Sequence, residues 1–242
     1  MDTSTIEAGF SKQNSWVAFL DVFEFTAMVK NVGYEKLGVK LEECHRKIFK
    51  LMQSRNDQSS LFIFSDSIFL SYSIADEQKR LEDLTKCIDY MRHILDIFVE
   101  CELPLKGGLA FGPVLHGEKQ LFGEPLVRAV MYGKMNNVPM VLLPMFELTE
   151  FQKTMQATRL PEPLDIELNN HGNVYSTYVV PNKLSNFKEL AMKEYERYRI
   201  VGPYNVARAW RKTVRYIDGL IKKEAKRQSR VPHPLKSSPV RC

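Results

Sequence analysis

Cysteine and histidine are sparse in this 242-residue chain, with four cysteines (Cys44, Cys87, Cys101, Cys242) and five dispersed histidines. No CxxC pair occurs, so neither a zinc site nor a disulfide framework is signalled. No apolar run approaches the roughly 20 residues that a membrane span needs. No signal peptide is recognisable, and with reduced thiols this suits the cytoplasm. There is no internal repeat. The basic residues are not interleaved with aromatics, which argues against nucleic acid as a partner.

What is present is an ordinary globular composition, 44% hydrophobic and 26% charged, enough for one domain with an appendage. The net charge of +5 is unevenly placed. From Arg197 onward there are thirteen Lys/Arg against two acids, whereas the preceding residues are acidic overall. Such an end reads as a solvated helix face followed by a flexible tail, with an anionic partner as the alternative.

The segment WVAFLDVFEFTAMV (16–29) begins as a buried strand and meets an acid at Asp21. An amphipathic helix is expected from about Thr26 to Gln53, where apolar residues recur at three-to-four spacing. LFIFSDSIFLSYS (61–73) reads as a tight hairpin turning on Ser65, Asp66 and Ser67. A second helix spans about 76–100. LPLKGGLAFGPVLHGE (103–118) suggests two strands around a Gly-Pro corner, and Gly123-Glu124-Pro125 starts a third helix reaching about Met135. A strand at 138–144, a hairpin turning at 169–172 and helices at about 186–199 and 203–227 complete the chain. The order β-α-β-β-α-β predicts a ferredoxin-like α+β fold, an antiparallel-rich sheet with a helical C-terminal extension.

In that fold Asp21 ends the central strand and Asp66 sits on the neighbouring hairpin. Two carboxylates at one sheet edge repel unless a cation separates them, and a hard divalent metal with oxygen ligands does this. The helix start after Asp21 offers free amides to phosphate. Taken singly, Asp21 also reads as a helix cap and Asp66 as a turn residue. Together they describe a palm that polymerises or cyclises nucleotides.

These residues resemble a class III nucleotidyl cyclase domain. FLDVFEFTAMV is similar to the family's F-x-D-[IV]-x-G-F-T segment, and FSDSIFL to its metal-binding hairpin. LKGGLAFGPVLHGE resembles the L-R-x-G-I-x-x-G-x-V strand pair, and LFGEPLVRAVMYGKM the following helix start. The motifs cover residues 15–144. The resemblance implies two Mg²⁺ or Mn²⁺ ions on Asp21, Asp66 and the Val22 carbonyl, with the triphosphate held by Phe23, Glu24, Phe25 and Thr26. It also implies a homodimer with active sites at the interface.

Departures from the pattern bear on the branch. Phe62 stands where purine cyclases read the base with Lys or Glu, and Gln120 replaces the partner acid or cysteine. The family's Asn and Arg, donated by the dimer partner, fall on Val127 and Met131. Arg128 is the nearby cation, rotated by about 100° on the helix, and Lys106 is another. Glu24 replaces a glycine. The chain looks most like bacterial Pycsar pyrimidine cyclases, on its KGGLAFG strand, its helical C-terminus and the hairpin of Asp165, Gly172 and Tyr175. That implies conversion of UTP to cyclic UMP, or of CTP to cyclic CMP, as an anti-phage signal read by a separate effector protein. An inactive cyclase-like module is the alternative of another class. The expected organisation is a flexible N-terminus (1–14), a catalytic domain (15–182), C-terminal helices (183–227) and a basic flexible tail (228–242).

Overall fold

A computed structural model describes residues 10–54, 59–74, 80–117, 120–144, 146, 147, 149, 169–171 and 174–228. The expected basic tail, Asp165 and Gly172 lie outside these residues.

Strand β1 (Ser11–Val22) is central, flanked by β3 (Ser67–Ser73) and β4 (Leu105–Gly117). It starts at Ser11, earlier than expected, because Ser11–Asn14 find partners in His116–Pro113 of β4. Its side chains alternate between two cores. Trp16, Ala18, Leu20 and Val22 join one cluster, and Val17, Phe19 and Phe23 the other. Burial on both faces is why this strand reads as a continuous apolar run.

The helix expected over Thr26–Gln53 is two helices, α1 (Phe25–Val32) and α2 (Tyr34–Ser54). Gly33 breaks them at φ 92° and caps α1 by donating its N–H to the Val29 carbonyl. A side chain is strained at that angle, so glycine sets the break. Next come β2 (Ser59–Phe64), β3 and α3 (Arg80–Glu100). β4 is one strand through Gly112-Pro113, with no corner there. Proline is tolerated because β6 pairs only with Gly107 and Gly108, well before it.

After β4 come β5 (Gln120–Phe122), α4 (Glu124–Met135) and β6 (Val141–Pro144). β7 (Asn169–His171) and β8 (Val174–Val179) follow, then α5 (Leu184–Val201) and α6 (Tyr204–Gln228). Asn169–His171 are strand residues paired with β8, not the turn expected of them.

The sheet order is β2-β3-β1-β4-β6-β8-β7, with β5 folded back on β4. Among the described strands only β4 and β6 pair in parallel. The first four strands thus have the ferredoxin-like order, as the sequence predicts. α2 and α3 cover one face, and α4, α5 and α6 the other. The extension is firmly docked: Trp210 of α6 meets the Phe23 ring edge-on at 5.4 Å. The Lys183 amide donates to Asp96 Oδ1 at 3.0 Å, and the Lys183 ammonium pairs with Glu100 at 2.5 Å. No helix of the described residues is long and apolar enough to cross a membrane.

Candidate active site

Asp21 lies in a cross-strand row, opposite Ser67 of β3 on one side and Lys106 of β4 on the other. Residues directly opposite in a sheet share a face, so the three side chains converge. Ser67 Oγ donates to Asp21 Oδ1 at 2.8 Å. Asp66, beside Ser67 on the β2–β3 turn, accepts the Val22 N–H on its main-chain carbonyl at 3.2 Å. The turn is tight enough to put Ser65 at φ 56°. The two predicted acids are therefore brought to the same strand end.

Asp21 is half-buried, and its carboxyl is pushed above the usual range, first by that burial. The Ser67 hydrogen bond opposes the rise, the negative charge of Asp66 adds to it, and Lys106 opposes it. Asp21 and the nearby Asp66 carboxylate, with the Val22 carbonyl next to Asp21 in sequence, are a hard-oxygen donor set. Such a set suits a hard divalent cation. Among the described residues no group of three or more His, Cys, Asp or Glu side chains could hold a metal, so a cation bound here would draw its remaining ligands from main-chain, water or ligand oxygens.

The loop into α1 differs in part from expectation. Phe23 donates its N–H to the Pro104 carbonyl at 2.8 Å and buries its ring, so it is a structural residue with no amide to give a phosphate. Met28 makes the first bond of α1, to the Glu24 carbonyl. The amides of Phe25, Thr26 and Ala27 precede it and have no partner within the helix. The amides without a helix partner are thus 25–27, where 23–26 were expected. Glu24 sits at φ 59°, ψ 31°, in the left-handed region. That is the conformation a glycine adopts without strain, and it explains why glycine occupies this place in the resembling motif.

Phe62 is half-buried on β2, and its ring lies 6.1 Å from that of His116 on β4. Burial lowers the proton affinity of His116, opposed by a hydrogen bond to the Gly117 backbone. Its Nε2 is buried and makes no hydrogen bond. Sequence reasoning missed His116, although alternation along β4 sets it on the face of Val114. Gln120 is exposed on β5 opposite Gly117.

Arg128 does not stand free as a catalytic cation. Its Nε donates to Glu147 Oε1 at 2.9 Å, its Nη1 to Glu124 at 2.7 Å, and its Nη2 to the Phe111 carbonyl at 2.6 Å. Glu147 is 1% exposed and also accepts from the Phe111 amide and the Tyr132 hydroxyl. Arg128 neutralises a buried carboxylate, which is a structural duty. α4 reaches this position because Gly108 lets it lie on β4. A Cβ there would stand 2.4 Å from Tyr132 Cβ and 2.5 Å from the Ala129 carbonyl. Val127, Met131 and Met135 point outward from α4, 67%, 48% and 52% exposed.

No protein-family model matches the sequence. No curated protein matches it either. Solved structures do match. The catalytic core of a rhodopsin-guanylyl cyclase, solved with ATPαS, aligns over 72% of this chain and 99% of its own, at 11% identity and a TM-score of 0.51. The chain has a cyclase fold. Weaker likenesses include the guanylyl cyclase domain of a fusion protein from the aquatic fungus Blastocladiella emersonii, at 12% identity and TM-score 0.49 over 72% and 98% of the two chains. The adenylyl cyclase CyaB from P. aeruginosa aligns at 12% identity and TM-score 0.48, over 72% and 97%. The cyclase fold agrees with the class predicted from the motifs, and Asp66, on the β2–β3 turn, lies beside Asp21 at the end of β1.

Proposed function

We propose that this chain is a class III nucleotidyl cyclase acting on a pyrimidine nucleoside triphosphate in the cytoplasm. UTP, giving cyclic UMP, is the favoured substrate, with CTP and cyclic CMP as the alternative. The product serves as an anti-phage signal read by a separate effector. The observation that carries the reading is the meeting of Asp21 and Asp66 beside the start of α1.

Asp21, Asp66 and the Val22 carbonyl would hold two Mg²⁺ or Mn²⁺ ions. Such ions supply Lewis acidity toward the ribose 3′-hydroxyl and the phosphates. The Phe25, Thr26 and Ala27 amides orient the polyphosphate, and Lys106 adds fixed positive charge beside Asp21. The ribose 3′-oxygen bonds to the α-phosphorus as the bridging α–β P–O bond breaks. The 3′ proton passes to solvent, and pyrophosphate leaves. Positioning by main-chain amides costs little reorganisation as charge develops.

The pyrimidine preference is supported by Phe62 and its neutral neighbour His116, where purine cyclases carry a charged reader. A homodimer is supported by the exposed apolar stripe of Val127, Met131 and Met135, spaced at i, i+4 and i+8. One observation favours a second reading. With Arg128 locked onto Glu147, and Val127 and Met131 apolar, the positions of the family's Asn and Arg carry no polar group, as in an inactive nucleotide-binding module. Equal amounts of the four ribonucleoside triphosphates, presented together with Mn²⁺, separate the two. An enzyme depletes one pyrimidine and accumulates its cyclic monophosphate; an inactive module depletes none.

A further inference from the structure

The corner between α5 and α6 faces α1 across a cavity of about 670 Å³. Its lining includes Glu24, Thr26, Lys30 and Asn31 on the α1 side, and Arg197 and Tyr198 on the α5 side. α1 has little choice in this arrangement. Phe25, Met28, Val29 and Val32 pack against the core. The helical period therefore turns Thr26 and Lys30, one turn apart, outward. The cavity begins at the loop whose free amides await a phosphate, and its volume lies in the range of small-ligand sites.

Two cations border it. Lys30 is exposed and forms no ion pair among the described residues. Arg197 makes a long 3.5 Å contact with Glu194 on its own helix, and its guanidinium lies 5.6 Å from the Tyr198 ring centroid. A guanidinium has five N–H donors, so most remain for a ligand. Glu24 is the acid on this wall, leaving the lining with a positive excess. Arg197 lies well beyond the residues that carry the cyclase motifs, on an extension held by Trp210 against Phe23, one residue before Glu24.

We propose that Arg197 and Lys30 clamp the terminal phosphates of the substrate's polyphosphate tail, so that the C-terminal helices complete the active site within one chain. This rests on the reading of the α1 loop as the triphosphate site. It gives the extension a catalytic purpose and supplies the cationic charge that Arg128 cannot. The ligand class is an inorganic or nucleoside polyphosphate. The clamp is indifferent to the base.

Binding of Mg²⁺-tripolyphosphate, which has no base or ribose, tests the clamp by titration calorimetry. The proteins compared are wild type, Arg197→Gln, Lys30→Gln, the double variant and Arg197→Lys, with thermal melting as a control for folding. Each single Gln variant weakens binding about ten- to a hundredfold, the double variant more, and Arg197→Lys less than Arg197→Gln. KM for the nucleotide rises in the same order. Wild-type protein that does not bind tripolyphosphate, or folded Gln variants that bind it as wild type does, overturns the clamp. If no nucleotide is cyclised but tripolyphosphate binding is lost in the variants, the clamp stands and the cyclase reading falls. If nucleotide is cyclised with KM unchanged in both Gln variants, the clamp falls and the cyclase reading stands.

Discussion

The main-chain carbonyl of Asp66 accepts the Val22 N–H at 3.2 Å, which ties the β2–β3 turn to the end of the central strand. Through this bond, and through Ser67 Oγ on Asp21, two acids far apart in sequence share one edge of the sheet. Their mutual repulsion is held in place by main-chain geometry, ready for a cation to relieve it.

Asp21→Asn and Asp66→Asn each remove a carboxylate of the proposed metal site without changing its shape. Cyclic nucleotide formation is expected to fall at least about 1,000-fold in either variant. The thermal midpoint stays level or rises, because Asn at Asp21 removes a half-buried charge. Product quantification beside a melting curve checks both outcomes.

Glu24→Gly relieves a left-handed backbone angle and withdraws an acid from the polyphosphate cavity. Release of strain of about 1–2 kcal/mol, offset by glycine's greater freedom when unfolded, leaves a net gain of about 0.5–1 kcal/mol. The midpoint in urea rises accordingly, and KM for the nucleotide falls.

Arg128→Met leaves Glu147 buried without its cation. The cost is about 3 kcal/mol in urea denaturation, at the lower end for a broken buried pair because Arg128 is 20% exposed. Pairing it with Glu147→Gln recovers part of the loss. Were Arg128 a free catalytic cation, the double variant would recover no stability.

Glu102, in the turn after α3, holds Lys193 of α5 and Lys40 of α2, and these partners lower its carboxyl to about 2. A folded-state value below the unfolded one, about 4.3, means that the stabilisation is complete above the unfolded value. It is lost as pH falls from there toward 2. The pair is half-exposed, so its worth is under about 1 kcal/mol and shrinks in salt. Urea midpoints of wild type and Glu102→Gln should differ at pH 7 and converge toward pH 2.

Met131→Glu places a charge in the apolar stripe of α4. Sedimentation is expected to shift from dimer toward monomer, with loss of activity, because like charges meet across a two-fold interface.

Much of this fold was legible because its signals are local. The apolar run ending at Asp21 and the short hairpin around Asp66 set the strand order and the acid pair. Gly33 was passed over because helical periodicity continues on both sides, so only its positive φ marks the break. The role of Arg128 was hidden in Glu147, on the segment after β6, where no periodicity links the two. Arg197 carried no motif at all. The α5–α6 corner brings it to α1, and such long-range packing leaves no spacing rule in sequence. Glu24 was legible as a departure, but its reason appeared only as a backbone angle.

Product analysis by mass spectrometry tests the central claim most directly, with purified wild type and Asp66→Ala incubated separately with UTP, CTP, ATP or GTP and Mn²⁺. The expected result is cyclic UMP or cyclic CMP with pyrophosphate from wild type, and neither from Asp66→Ala. Folded wild-type protein that cyclises none of the four, or an Asp66→Ala variant that cyclises as well as wild type, contradicts it.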